Sequence, residues 1–159
     1  MRTSAPAQEI RFRVAAIIVR DGCLLVSRAL MNPFWELPGG RVERGEMSRD
    51  ALVRELREEL GVAAARLGRL VFVFENRFVH EGRRLHEVNL TYEAHLSEAE
   101  WPLVEGEVAG VEPDLRFRWV PFSGLADIDL RPRPLHARLL AGKLPEGLEH
   151  FEVDEWPGS

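Results

Sequence analysis

Apolar residues recur along this chain with two different periods. Leu52, Leu56 and Leu60 stand at i, i+4 and i+8, with Val53 beside them and Gly61 after them, which predicts an amphipathic helix from about Ser48 to Leu60. On it, Glu55, Glu58 and Glu59 form an arc bordering the apolar face, while Asp50 and Arg57 point away. Elsewhere the apolar runs are short and strand-like. "FRVAAIIV" and "CLLVSRA" flank Asp21-Gly22 and read as a β-hairpin. "RLVFVFENRFV" and "HEVNLTYEAHL" read as two further strands joined around "HEGRR", where Gly82 permits the turn, and "RFRWVPF" is another candidate strand. From about Arg133 to Leu140 the pattern turns helical again, with prolines at 132 and 134 marking the entry. The closing stretch "PEGLEHFEVDEWPGS" is acidic and proline-bearing and reads as a tail or a covering strap.

Length and composition narrow the class. A chain of 159 residues, 45% hydrophobic, suits one α/β domain over 1–159, with residues 1–8 and 150–159 as flexible or strap-like ends. No apolar run approaches a membrane span, and "MRTSAPAQEIRFR" lacks the apolar centre of a secretory signal, so a cytoplasmic location is the default expectation. The lone Cys23 has no internal disulfide partner, and in "GCLLV" it reads as a small packed hydrophobe rather than a nucleophile. A net charge of −5 offers no basic footprint for long nucleic acid.

The glutamate arc is the feature that needs an explanation. Glu55 lies three residues from Glu58 and four from Glu59, and like charges so placed cost about 0.2–0.5 kcal/mol per pair. Glu58 and Glu59 also stand in the last turn, where the helix dipole opposes an acidic residue by roughly 0.3–1 kcal/mol. A solvated charged face would account for the residue types. A hard divalent cation such as Mg²⁺, which takes oxygen ligands and keeps several waters, would account for their convergence and turn repulsion into attraction. Gly39 and Gly40 can bring backbone close to the same place, presenting a carbonyl oxygen or simply making a turn.

"GGRVERGEMSRDALVRELREELGV" resembles the Nudix box, G-x5-E-x7-R-E-U-x-E-E-x-G-U with U aliphatic, matching it at Gly40, Glu46, Arg54, Glu55, Leu56, Glu58, Glu59, Gly61 and Val62. The preceding "WELPGG" is similar to the usual approach to that box. The resemblance implies a Nudix fold, a mixed β-sheet sandwiched between α-helices, with the box as a loop–helix–loop. It implies hydrolysis of a nucleoside diphosphate linked to another moiety, with Mg²⁺ or Mn²⁺ as cofactor. Glu55, Glu58 and Glu59 would then be metal ligands, together with the Gly39 carbonyl. Arg54 would orient the glutamates, Glu46 would brace the loop, and Glu58, or failing it Glu55 or a loop glutamate, would be the base that activates water. Such a reaction requires shielding anionic oxygens, aligning water and neutralising the leaving group, all within reach of clustered metal ions.

Further residues carry expectations of their own. Arg28 ends the second strand, where a similar arginine often follows in phosphate-cleaving Nudix enzymes; it reads as a phosphate contact or a surface cation. Trp35 would line the cleft and stack on a base, or anchor the loop from within the core. Among the acids of "LVEGEVAGVEPDLRFRW", Glu112 is preferred over Glu107 and Glu105 as a further metal ligand, against a solvated loop carboxylate. His80 and His86 read as structural or exposed, and Glu87 as a secondary candidate contact.

The extra motifs of ADP-ribose, diadenosine polyphosphate and NADH pyrophosphatases are absent, which leaves the MutT-like group and nucleoside triphosphates as the expected substrates. "DLRPRPLH" shows no asparagine where MutT-type enzymes read the purine. Nucleotide sugars, ADP-ribose and dinucleoside polyphosphates remain alternative substrates, and a nucleotide-sensing regulator is the alternative of another class. Isopentenyl diphosphate isomerase shares the fold but needs an active-site cysteine, and Cys23 is in the wrong segment. The expected partner is a small nucleotide, with no membrane and no long nucleic acid; homodimers are frequent in the family.

Overall fold

A computed structural model describes residues 9–158. The expectation for residues 1–8 lies outside it. Two sheets and two helices make up the described chain. In order they are β1 (Ile10–Ile17), β2 (Val19–Arg20), β3 (Cys23–Ala29), β4 (Gly39–Arg41), α1 (Ser48–Leu60), β5 (Arg66–His80), β6 (Arg83–His95), β7 (Glu107–Ala109) and β8 (Leu115–Pro121). A 3₁₀ turn (Phe122–Asp127), α2 (Arg133–Leu139) and β9 (Glu149–Asp154) complete it. The larger sheet, ordered β4-β1-β6-β5-β9, is mixed: β1 runs parallel to β6 and β9 parallel to β5, while β4 and the β5–β6 pair are antiparallel. The smaller sheet, β2-β3-β8-β7, is antiparallel.

Strand β1 shows why both sides of the larger sheet are covered. Its side chains alternate between faces. Val14, Ala16 and Ile18 pack with Leu52, Leu56 and Leu60 of α1, whereas Ala15 and Ile17 pack with Leu135 and Leu139 of α2. Both faces are therefore apolar, and the run reads as nearly continuous hydrophobe. The expected fold class, a mixed sheet between helices, is the one observed.

Local geometry follows the sequence at most element ends. Helix α1 spans Ser48–Leu60 and stops at Gly61, which is left-handed at φ 73° and donates its N–H to the Arg57 carbonyl. The hairpin expectation needs correction. Asp21 and Gly22, at φ 48° and 71°, do form the turn, but only β2 pairs across it with β3. The first apolar run divides between two sheets after Ile17, because its two apolar faces are claimed by different packing partners. The C-terminal stretch also differs from the tail or strap expected of it. Residues 149–154 form β9, at the edge of the larger sheet, and Phe151 stacks on Phe74 with ring centroids 5.4 Å apart. Its alternation of half-buried and exposed residues is that of a strand with one face on the core.

Candidate active site

Helix α1 lies against β1 and β4, and its carboxylates meet the Gly39–Gly40 backbone at that junction. Burial of Ala51, Leu52, Leu56 and Leu60 fixes its rotation. That rotation carries Glu59 inward, to 8% exposure, leaves Glu55 largely covered and keeps Glu58 in solvent. Gly40 is paired with Val14, and a Cβ there would collide with the Glu55 carboxylate, so any larger residue would push that carboxylate out of its place. The Gly39 N–H donates to the Glu59 carboxylate.

Arg54 ties the box together. Its Nε and Nη2 donate to Glu46 Oε1 and Oε2 at 2.8 and 2.9 Å, a two-point fork. Nη1 donates to Glu55 Oε1 at 3.0 Å and Glu58 Oε2 at 3.3 Å, and Nη2 also reaches the Arg41 carbonyl at 2.9 Å. These contacts occupy a guanidinium's five N–H donors. Arg54 thus touches every glutamate at a fixed box position but Glu59. The Arg54 hydrogen bonds hold the Glu46 carboxyl down to about 2.

Electrostatics single out Glu59. Burial first, then the charges of Glu55 and Glu112, push its carboxyl up to about 8, against partial relief from the Gly39 N–H and Arg13. Its Oε2 is buried without a hydrogen-bond partner. Burial also raises Glu55, although Arg54 opposes the shift. An oxygen-only donor set with one orphaned ligand atom and uncompensated negative charge fits a hard divalent cation. The loop bearing Glu112 is held to the end of α1 by a 2.9 Å bond from the Val111 N–H to the Glu59 carbonyl.

Other residues read from sequence fall elsewhere. Arg28 donates to Glu107 at 2.9 Å and lies over the Trp35 ring at 5.0 Å. Trp35 itself is 8% exposed and packed in the core with Leu130 and Leu135, the anchoring arrangement and not the stacking one. Neither lines the cavity that contains Arg13 and Glu36. Glu105 is exposed and Glu107 is held by Arg28, so of the three loop acids only Glu112 acts on Glu59. Cys23 is partly packed against the core, and burial raises its thiol. Glu75, His150 and Glu152 also gather metal-ligand types within 4.8 Å, on β5 and β9; there His150 Nε2 is already 2.9 Å from Glu75 Oε2.

On the α2-facing side of the larger sheet opens a cavity of about 360 Å³ that no sequence motif announced. Arg13 lines it, and the same guanidinium acts on Glu55 and Glu59 and on Glu36 inside the cavity. Its floor is the α2-facing side of β5 and β6, where Phe74 gives way to Asn76, Glu87, Asn89 and Thr91. The alternation of "FENRF" and "HEVNLT" was the available signal: polar residues stand at positions that continue an inward-facing row.

A model of the NUDIX domain matches residues 9–140, and the chain belongs to that family. It is similar to the CTP pyrophosphohydrolase of Escherichia coli, with 53% identity over 55 residues covering 32% of this chain and 41% of that protein. A putative 8-oxo-dGTP diphosphatase of Mycobacterium tuberculosis is 50% identical over 58 residues, 34% of this chain and 41% of that protein. The matches thus span about two fifths of the length of these curated relatives. Among solved structures, the E. coli ORF135 protein superposes with a TM-score of 0.56 at 30% identity, covering 87% of this chain and 94% of that one. A MutT NUDIX hydrolase from Burkholderia pseudomallei gives 0.54 at 32% identity, over 73% and 86%. Among the described residues no helix is long and apolar enough to cross a membrane.

Proposed function

We propose that the protein is a nucleotide pyrophosphohydrolase that cleaves a diphosphate bond in a nucleoside di- or triphosphate or a derivative. The observation that carries this reading is Arg13, which lines a cavity large enough for a nucleoside and whose charge also acts on Glu55 and on the buried Glu59 of the carboxylate cluster. The pyrophosphohydrolase and diphosphatase names of its relatives support the same class.

In this reading Glu55, Glu58, Glu59, Glu112 and the Gly39 carbonyl hold Mg²⁺ or Mn²⁺. The bound cation shields the phosphate oxygens and stabilises charge on the leaving group. Glu58 is the base in preference to Glu55: Arg54 Nη1 donates to its Oε2, and when Oε1 takes the proton from water the cation is held by the other ligands. The water oxygen bonds to phosphorus, the bridging P–O bond breaks, and its electrons leave with the departing phosphate. Arg54 positions Glu55 and Glu58, and Arg13 faces the anionic substrate between cavity and cluster. Trp35 acts as an anchor for the loop leading to Gly39, and Arg28 supports that anchor.

A product assay tests this. Purified protein with Mg²⁺ or Mn²⁺ is given canonical and oxidised nucleoside triphosphates, ADP-ribose, nucleotide sugars and dinucleoside polyphosphates, with Glu59→Gln in parallel. Turnover of one class, lost in the variant, is the expected result. Nucleotide binding with no turnover of any substrate would instead favour the sensing role.

A further inference from the structure

We propose that the cavity floor selects nucleobases by an exocyclic amino group, with Asn76 Oδ1 and the Glu87 carboxylate as the acceptors. The identity of the occupant rests on the nucleotide reading above; the acceptor pattern does not.

Asn76 and Glu87 are 5% and 9% exposed and sit directly opposite each other on β5 and β6. Asn76 Nδ2 donates to Glu87 Oε1 at 3.3 Å, which fixes the amide's orientation and leaves Oδ1 buried with no partner. Among the described residues this is the one hydrogen bond seen for the Glu87 side chain, although a carboxylate offers about four lone-pair sites. Both side chains line the cavity. An orphaned amide oxygen and an underused carboxylate cost stability unless a ligand supplies donors.

Two neighbours refine the pattern. Glu36, entering the cavity from the segment before Gly39, adds a third acceptor. Asn89, two residues from Glu87 on the same face, gives up its Oδ1 to the Thr91 hydroxyl at 3.0 Å and keeps its N–H₂ for an acceptor on the same ligand. Phe34, Phe74 and Phe78 supply aromatic walls for a planar ring. The cavity therefore suits a flat heterocycle that presents N–H donors beside a ring acceptor. Cytosine, guanine and adenine carry an amino group for that purpose. Uracil turns a carbonyl lone pair toward the carboxylate, and hypoxanthine, which keeps its N1–H but has no amino group, leaves one acceptor unpaired.

Matched pairs test the idea. Binding of CMP against UMP and of GMP against IMP is measured by calorimetry in EDTA, and kcat/KM for CTP against UTP and GTP against ITP follows with Mg²⁺. The amino member of at least one pair should bind about tenfold or more tightly, the scale of a hydrogen bond to a buried charged acceptor. Glu87→Gln, which keeps the shape, and Asn76→Leu, which removes the amide, should each cut that ratio to within about threefold in kcat/KM and in binding. Circular dichroism checks that the variants fold, and the wild-type ratios decide the matter if they do not. Equal binding within both wild-type pairs, no nucleotide binding at all, or a preference that survives in both folded variants would overturn the proposal. Hydrolysis without amino selectivity would overturn it while leaving the hydrolase reading intact. Selective binding without hydrolysis would support it and count against the hydrolase.

Discussion

Replacing Glu59 by glutamine should stabilise the metal-free protein while removing its response to metal. Burial and the charges of Glu55 and Glu112 raise the Glu59 carboxyl from 4.5 to about 8. A carboxyl raised in the folded state binds a proton there that the unfolded chain has released, so stability falls as pH rises from 4.5 toward 8. Each pH unit of that window costs about 1.4 kcal/mol, so at neutral pH Glu59 costs up to ~3 kcal/mol. Glutamine keeps an oxygen for the Gly39 N–H, fills the same volume and carries no charge. At ~2–4 °C per kcal/mol for a domain of this size, Tm in EDTA at pH 7 should rise by up to ~10 °C. The gain should shrink as pH falls toward 4.5 and vanish below it, where the carboxyl is protonated in the folded and unfolded chain alike. Urea and thermal unfolding, each with EDTA and with Mg²⁺, measure both effects. A variant less stable than wild type in EDTA at pH 7, or one that keeps the full Mg²⁺-induced rise in Tm, would refute this account of the carboxylate cluster.

Mg²⁺ alone should raise the wild-type melting temperature, because a cation that binds the folded cluster and not the unfolded chain stabilises by mass action; a thermal titration reads it. Arg54→Ala should lower kcat on the order of 10²-fold by releasing Glu55 and Glu58 from position, with steady-state kinetics as the check. The stability difference between wild type and Glu46→Gln should be present above pH 4.5 and fade as pH falls toward about 2, since Arg54 depresses the native carboxyl; acid unfolding of the pair measures it. Phe151→Ala should cost about 2–4 kcal/mol by opening a gap against Phe72 and Phe74, which denaturant unfolding would show and a dispensable tail would not.

Legibility followed the strength of local signals. Helix α1 was readable to the residue because its leucine period, its glycine stop and the box register all agree. The β5–β6 hairpin was readable because Glu81 and Gly82 sit alone between two strand-like runs. The fate of "FRVAAIIV" was not, since an evenly apolar run does not say which of two sheets each half joins. β9 was missed because the acids and prolines around Phe151 and Val153 resemble a tail until Phe72 and Phe74 are seen to need covering. In the candidate site, the box placed Glu55, Glu58 and Glu59 together, but burial separates them: Glu59 is packed inside and Glu58 is in water. For Arg28 and Trp35 the sequence left substrate contact and structural role both open, because the choice depends on a tertiary fact, Arg28 lying over the buried Trp35 ring with neither lining the cavity.

Both unusual charge placements depart from the pattern that stabilises the fold. Glu59 occupies an inward position of a helix whose other buried residues are apolar, and Asn76 with Glu87 interrupts the apolar face that Phe72 and Phe74 establish. Each leaves a buried oxygen without a partner, on Glu59 and on Asn76. A chain selected for stability alone would have leucine or valine at such positions, because burying an unpaired polar group costs about 1–3 kcal/mol. Arg13 borders both places: its side chain lines the cavity and its charge acts on Glu59. Two independent breaches of patterning on either side of one arginine are hard to reconcile with structural roles. They are what a single elongated ligand would require, with its donors at Asn76 and Glu87 and its anionic end beside Arg13 and the glutamates.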